Sequence, residues 1–125
     1  MQFVGIDIIE IARIKRAIAR WGDNFLGRVY TEPELELYRQ KPSSLAARFA
    51  GKEAVIKVLD IKTKGVGLKE IEILSEPNGK PLVYLYGRAQ NQADDLGLAH
   101  LAISLSHSRD YAIACAAGET RESIL

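Results

Sequence analysis

The chain has 125 residues, 47% of them hydrophobic and 26% charged, the size and balance of one soluble domain rather than of a disordered chain. Seventeen basic residues against sixteen acidic ones leave a net charge of +1, which argues against a general polyanion binder. A lone cysteine, Cys115, excludes an internal disulfide framework and suits a reducing, cytoplasmic setting, and no apolar run approaches the roughly 20 residues that span a membrane.

Periodicity and punctuation divide the chain into elements. Gln2 to Ile9 is rich in β-branched and aromatic residues and reads as a first strand, not as a signal peptide, because it is short, carries acids and has no basic leader. Residues 10–20 switch to helical spacing, with Ile11, Ile14 and Ile18 forming an apolar stripe. Thr31 and Glu34 stand at capping-box spacing with Pro33 in the first turn, which predicts a short helix from Glu32 to about Arg39. Pro42 ends that stretch, and Ser43 or Ser44 is placed to cap a longer helix through LAARFAGKEAVIKVL. Strands follow. KEIEIL alternates over 69–74, Asn78-Gly79 signals a hairpin, and PLVYLYG returns. Residues 88–96 form a further short helix stopped near Gly97. HLAISLSH (100–107) and YAIACAAG (111–118) make a last strand pair, and the tail ETRESIL reads as frayed. Helices early and antiparallel hairpins late give an α+β class, in a single domain spanning 1–125.

Four features carry chemistry. Arg13, Arg16 and Arg20, three and four residues apart, share one helical face. They are either a solvated face or a docking strip for an acidic helix. Nucleic acid is a weaker partner, because no aromatic platform is interleaved. Asp7 interrupts the apolar run VGIDII, where a carboxylate is costly unless paired or bound to a cation. It reads equally as a cap for the next helix or as a metal ligand. Alternation puts Val4, Ile6 and Ile8 on one face and Gly5, Asp7 and Ile9 on the other. In RFAGKEAVIK, Glu53 and Lys57 have the spacing of an ordinary helical ion pair. Yet Arg48, Lys52 and Lys57 around one carboxylate also fit a phosphate-and-magnesium site, to which Asp7 and Glu53 would bring the acids. His107, between two serines at a strand end, is structural or catalytic. Cys115 reads as a packed thiol.

Together these residues resemble the small bacterial phosphopantetheinyl transferases of the holo-acyl-carrier-protein synthase family. The likeness is carried by Gly5-Ile6-Asp7, by Arg48 to Lys57 (RFAGKEAVIK), by EIARIKRAI, by Asn78-Gly79-Lys80-Pro81, and by Ser106-His107-Ser108 before Tyr111-Ala112. It covers essentially the whole chain. One stretch departs from the family pattern: the loop over 59–68 is more basic than usual, although Gly65 and Gly67 remain.

The resemblance implies a phosphopantetheinyl transferase fold and a homotrimer with active sites at subunit interfaces. It implies Mg²⁺-dependent transfer of the phosphopantetheine arm of coenzyme A to a serine of an acyl carrier protein, with release of adenosine 3′,5′-bisphosphate, in fatty-acid biosynthesis. Asp7 and Glu53 are then the metal ligands and, with His107, the catalytic groups. Coenzyme A falls to Arg48, Lys57, Asn78, Gly79, Lys80, Pro81, Ser106, His107 and Ser108. Arg13, Arg16 and Arg20 become the carrier-protein dock. The general base stays open among a metal-activated water, Glu53 and His107. No nucleic acid or membrane is implied. A coenzyme A-binding module, an adaptor for an acidic helix and a small nucleotide hydrolase are the rival readings.

Overall fold

The computed structural model describes residues 1–60 and 65–121. The chain begins with strand β1 (Gln2–Glu10) and passes directly into helix α1 (Ile11–Trp21). Two short helices follow, α2 (Asp23–Val29) and α3 (Glu32–Tyr38), and then the long helix α4 (Pro42–Leu59). A 3₁₀ turn over Leu68–Glu70 leads into the hairpin of β2 (Ile71–Ser75) and β3 (Pro81–Leu85). Helix α5 (Gly87–Leu96) precedes a final pair of long strands, β4 (Leu98–His107) and β5 (Tyr111–Thr120). The strands form a three-stranded antiparallel sheet in the order β1-β5-β4, with β2-β3 a separate antiparallel pair. This is the mixed α and antiparallel β arrangement that the element order predicts.

Helix α4 is the axis of the molecule. It packs on β1, β5, β4, β2 and α1, and within it only Lys57 is exposed. Leu45, Ala46, Ala47, Ala50, Ala54, Val55, Val58 and Leu59 are all buried. A helix whose faces are nearly all covered belongs in a core. Its small residues let the sheet come close, and the sheet answers with small residues of its own, Ala112, Ala114 and Ala116 on β5. The closest approach is at Gly5. A Cβ there would overlap the carbonyl oxygen of Ala54 and come within 3.0 Å of the Lys57 Cβ. Glycine is therefore required beside Ile6-Asp7 because β1 runs against the helix backbone.

The local signals held at most places. Thr31 and Glu34 form a reciprocal capping box at the start of α3, and Gly97 ends α5 in the left-handed conformation with φ 72°. Several details differ. Helix α4 begins at Pro42, one residue before the serines expected to cap it, and Lys41 is its N-cap without a side-chain bond. Lys69 and Glu70 belong to the 3₁₀ turn rather than to β2. Glu119 and Thr120, read as tail, complete β5. There the N-terminal amine donates to Thr120 Oγ1 at 2.9 Å, and Thr120 N–H bonds the Met1 carbonyl. Helix α2 was not anticipated, because DNFLGRV is short and buries only Leu26 and Val29. Residues 61–64 of the basic loop and residues 122–125 of the tail lie outside the described residues.

The solvent side of β1 and of the first half of β5 is apolar. Val4, Ile6 and Ile8 of β1 are 66%, 56% and 60% exposed, and Tyr111 and Ile113 of β5 join them. Cys115, across from Ile6 in the register, is exposed on this face and is not the packed thiol that its strand suggested. Gly5→Ala is expected to destabilise the protein by about 1–3 kcal/mol through overpacking. Urea unfolding measures it, and a stability equal to wild type would contradict the close approach.

Candidate active site

Asp7 sits on the core-facing side of β1, two residues beyond Gly5, and is half-buried. Glu53 sits on α4, one residue before the Ala54 carbonyl that Gly5 admits, and is also half-buried. The glycine contact therefore sets the spacing of strand and helix at the point where the two acids face one hollow. Asp7, Ile9, Arg13, Ile14, Ala17, Phe25, Phe49 and Glu53 line that hollow together with Ile8. Its lining thus joins apolar residues of β1, α1, α2 and α4 to the two carboxylates and to Arg13, the first arginine of the basic strip.

The electrostatics follow from this placement. Burial pushes the Glu53 carboxyl above the usual carboxylate range, the Asp7 charge pushes it further, and Lys57 partly opposes both. Lys57 does not make the helical pair with Glu53 that its spacing offered. Its ammonium donates to the Ile6 carbonyl at 2.6 Å and reaches Asp7 Oδ1 at 3.3 Å. It ties β1 to α4 on the same side as the acids while staying half-exposed. Two carboxylates held against each other's charge are a hard-oxygen donor set suited to a small divalent cation. Among the described residues no group of three or more His, Cys, Asp or Glu side chains forms a closed cage.

Lys52 departs from the sequence reading. It does not flank the acids with Arg48 and Lys57. Its side chain and that of Glu34 are both fully buried, paired at 2.8 Å. The ammonium also donates to the carbonyls of Leu68 and Ile71, so all three of its N–H donors are used. Burial lowers the Lys52 pKa and Glu34 pulls it back up. Glu34 was legible only as a capping residue, since nothing in local spacing links position 34 to position 52.

The remaining predicted site residues gather elsewhere on the same chain. Arg48, Gly79, Pro81, Ser106 and His107 line a second hollow with Ser44, Ala47 and Leu105. Arg48 is itself nearly buried. It donates to the Ile73 carbonyl at 3.4 Å and to Ser75 Oγ at 2.9 Å, and its guanidinium lies 3.7 Å from the Tyr38 ring centroid. It is a packed cation at the wall of a cavity, a role the sequence did not separate from plain charge. Asn78 accepts from the Lys80 N–H and shapes the β2-β3 turn. Ser108 closes the β4-β5 turn against Tyr111. Neither of these two, nor Lys80, lines the second hollow. Within one chain His107 does not line the hollow of Asp7 and Glu53. Arg13, Arg16 and Arg20 are exposed along α1 and line a shallow groove with Ala17, Ala19 and Trp21. Arg13 and Ala17 border both this groove and the acid hollow. Trp21, Asn24, Phe25 and Arg28 line a further hollow next to it. The sequence reading missed these because α2 itself was missed.

Residues 3–116 match the family described as the 4′-phosphopantetheinyl transferase superfamily. The chain belongs to that superfamily. It is 57% identical to holo-[acyl-carrier-protein] synthase of Dehalococcoides mccartyi strain CBDB1 over 91% of this chain and 95% of that protein. It is 46% identical to the Herpetosiphon aurantiacus enzyme of the same name over 94% and 98%. Among solved structures, the Helicobacter pylori holo-[acyl-carrier-protein] synthase in complex with coenzyme A superimposes with a TM-score of 0.84. The two are 34% identical, with 93% of this chain and 99% of that one covered. The chain is therefore an enzyme, a phosphopantetheinyl transferase, and the fold is the one that the sequence resemblance implied.

The raised Glu53 pKa has a definite sign for stability of the transferase. The folded state holds this proton more tightly than the unfolded chain does, so a charged Glu53 costs stability as pH rises through the raised value. In metal-free buffer at pH 7, Glu53→Gln is expected to melt above wild type, with the gap narrowing as pH is lowered. Circular dichroism melts across pH measure this, and a lower melting temperature for the variant at pH 7 would refute it.

Proposed function

We propose that this transferase is a holo-acyl-carrier-protein synthase. It moves 4′-phosphopantetheine from coenzyme A to a serine hydroxyl of an apo acyl carrier protein and releases adenosine 3′,5′-bisphosphate. The observation that carries the reading is the shared border of the acid hollow and the arginine groove. One end of a continuous surface suits a metal-bound pyrophosphate, and the other suits an acidic protein. The names of the relatives support an acyl carrier protein as acceptor, and the coenzyme A complex of the Helicobacter pylori enzyme supports coenzyme A as donor.

In this reading the serine oxygen attacks the phosphorus that bears the pantetheine arm. The bond from that phosphorus to the bridging oxygen breaks, and adenosine 3′,5′-bisphosphate leaves with the bond's electron pair. Such a transfer depends chiefly on positioning and on stabilising charge at the phosphate oxygens. Asp7 and Glu53 would hold Mg²⁺, which when bound neutralises the pyrophosphate. Lys57, already beside Asp7, is placed to add a cation there. Arg48 and His107, with Asn78 to Pro81 and Ser106 to Ser108, are assigned to the other phosphate and nucleoside parts of coenzyme A. Glu53 and His107 are the two side chains assigned to receive the serine proton. The site is assigned to the whole 1–125 domain acting in the cytoplasm, in fatty-acid biosynthesis.

The separation of His107 from the acid hollow within one chain has a natural remedy in a homotrimer. A neighbouring subunit would bring its second hollow to the first chain's acids. The apolar outer face of β1 and β5, with Val4, Ile6, Ile8 and Ile113, offers the surface for such an assembly. Light scattering after size exclusion is expected to give the trimer mass. A monomer mass would overturn the shared-site arrangement.

Intact-protein mass spectrometry of an apo acyl carrier protein with this enzyme, coenzyme A and Mg²⁺ is expected to show one added phosphopantetheine. Glu53→Gln should reduce the rate by at least about 100-fold. No mass gain from a folded sample that binds coenzyme A would favour a binding module instead. Arg13→Glu should weaken carrier-protein use and its salt sensitivity while leaving coenzyme A binding nearly intact. Equal loss of both would remove α1 from the docking role.

A further inference from the structure

The buried Lys52–Glu34 pair lies outside the reaction described above, yet Lys52 is the immediate neighbour of Glu53. Helix α4 is largely buried, and its small residues, Ala46, Ala47, Ala50, Gly51 and Ala54, are interspersed with Leu45, Val55, Val58 and Leu59. Buried apolar residues spread around the helix rather than gathered in one stripe constrain its rotation only loosely, because apolar contacts are not directional. Directional polar contacts add a constraint that apolar packing alone does not supply. Lys52 provides them, with Glu34 of α3 and the carbonyls of Leu68 and Ile71 as its three acceptors. Glu34 is pinned in turn by the N–H groups of Thr31 at 2.9 Å and Ile73 at 2.7 Å. Arg48, one turn earlier, grips the same hairpin through Ile73 and Ser75. Successive residues on a helix are about 100° apart, so fixing Lys52 toward β2 aims Glu53 toward β1 and Asp7.

The geometry points to Glu34 and Lys52 as positioning residues of the transferase: their buried ion pair sets the rotation of α4 that presents Glu53 to Asp7. The best-attested use of a buried polar contact is to specify one packing over its alternatives. The inference rests on the reading of Asp7 and Glu53 as a metal-holding pair.

The test uses the charge-free pair Glu34→Gln with Lys52→Met, and Glu34→Asp as a milder variant that keeps both charges and shortens one side chain. Mn²⁺ binding in the presence of coenzyme A is measured by electron paramagnetic resonance, beside kcat and the KM for coenzyme A. For the double variant, Mn²⁺ affinity and kcat should each fall about tenfold or more, the size of effect seen when groups supporting a metal ligand are altered. The KM for coenzyme A should rise by less than kcat falls, because only the part of the coenzyme next to the metal pair is affected directly. Glu34→Asp should shift the same two quantities in the same direction. If the double variant does not fold by circular dichroism, Glu34→Asp decides alone. Folded variants with wild-type Mn²⁺ affinity and kcat would overturn the positioning role. Glu53→Gln separates the two ideas. If it keeps wild-type Mn²⁺ affinity, the metal-pair reading fails and the positioning role falls with it. If it loses affinity while the pair variants do not, the positioning role alone fails.

Discussion

An ammonium group buried at the middle of α4 is the constraint around which this protein is arranged. A lysine with no exposed surface is tolerated only when every donor is matched and its charge is answered. Here Glu34 answers the charge and two backbone carbonyls complete the set. Meeting those demands ties together α3, α4, the 3₁₀ turn and β2, four consecutive elements that one side chain joins across their loops. The capping box of α3 takes part as well, since Glu34 caps its helix and holds Lys52 with the same carboxylate. One side of α4 is thereby anchored by polar contacts, which leaves the opposite side free to face the strand that carries Asp7.

On that opposite side the controlling fact is distance. Gly5 lets the backbone of β1 lie on the backbone of α4, and the two carboxylates follow from that contact. Their mutual repulsion and the partial burial of Glu53 are unfavourable in the protein alone. This is the usual relation between an active site and its scaffold: groups that would relax elsewhere are held in place by packing that is favourable overall. Lys57 moderates the strain without removing it, because it bonds the Ile6 carbonyl as well as Asp7.

The two hollows describe a molecule that divides its work. The acid hollow merges with the arginine groove of α1, while the second hollow is built from Arg48, the β2-β3 turn and the end of β4. The outer face of the sheet joins them conceptually, since an apolar face of this extent calls for a covering surface. Strands β1 and β5, with Gly5, Ala112, Ala114 and Ala116 toward the helix and Val4, Ile6, Ile8 and Ile113 toward solvent, reverse the pattern of a lone domain.

Much of the fold was legible because it rests on local rules. The β1 to α1 switch, the Thr31–Glu34 box, the Asn78-Gly79 turn and the Gly97 stop each need only a few adjacent residues, and each stands where those residues place it. Helix α2 was missed because seven residues with two buried side chains carry too little periodicity to stand out. Asp7, Glu53 and the basic strip were visible as residues out of keeping with their surroundings. By itself, then, the sequence determined the element types, the α+β order, the family likeness and which side chains were unusual. Tertiary structure alone decided the partners: that Lys52 turns inward to Glu34, that Lys57 leaves Glu53 for Asp7, and that Arg48 is packed on Tyr38. The reason is physical. Element type is set by interactions within a few residues, whereas the partner of a charged side chain depends on burial and on backbone groups that only the folded chain brings within reach.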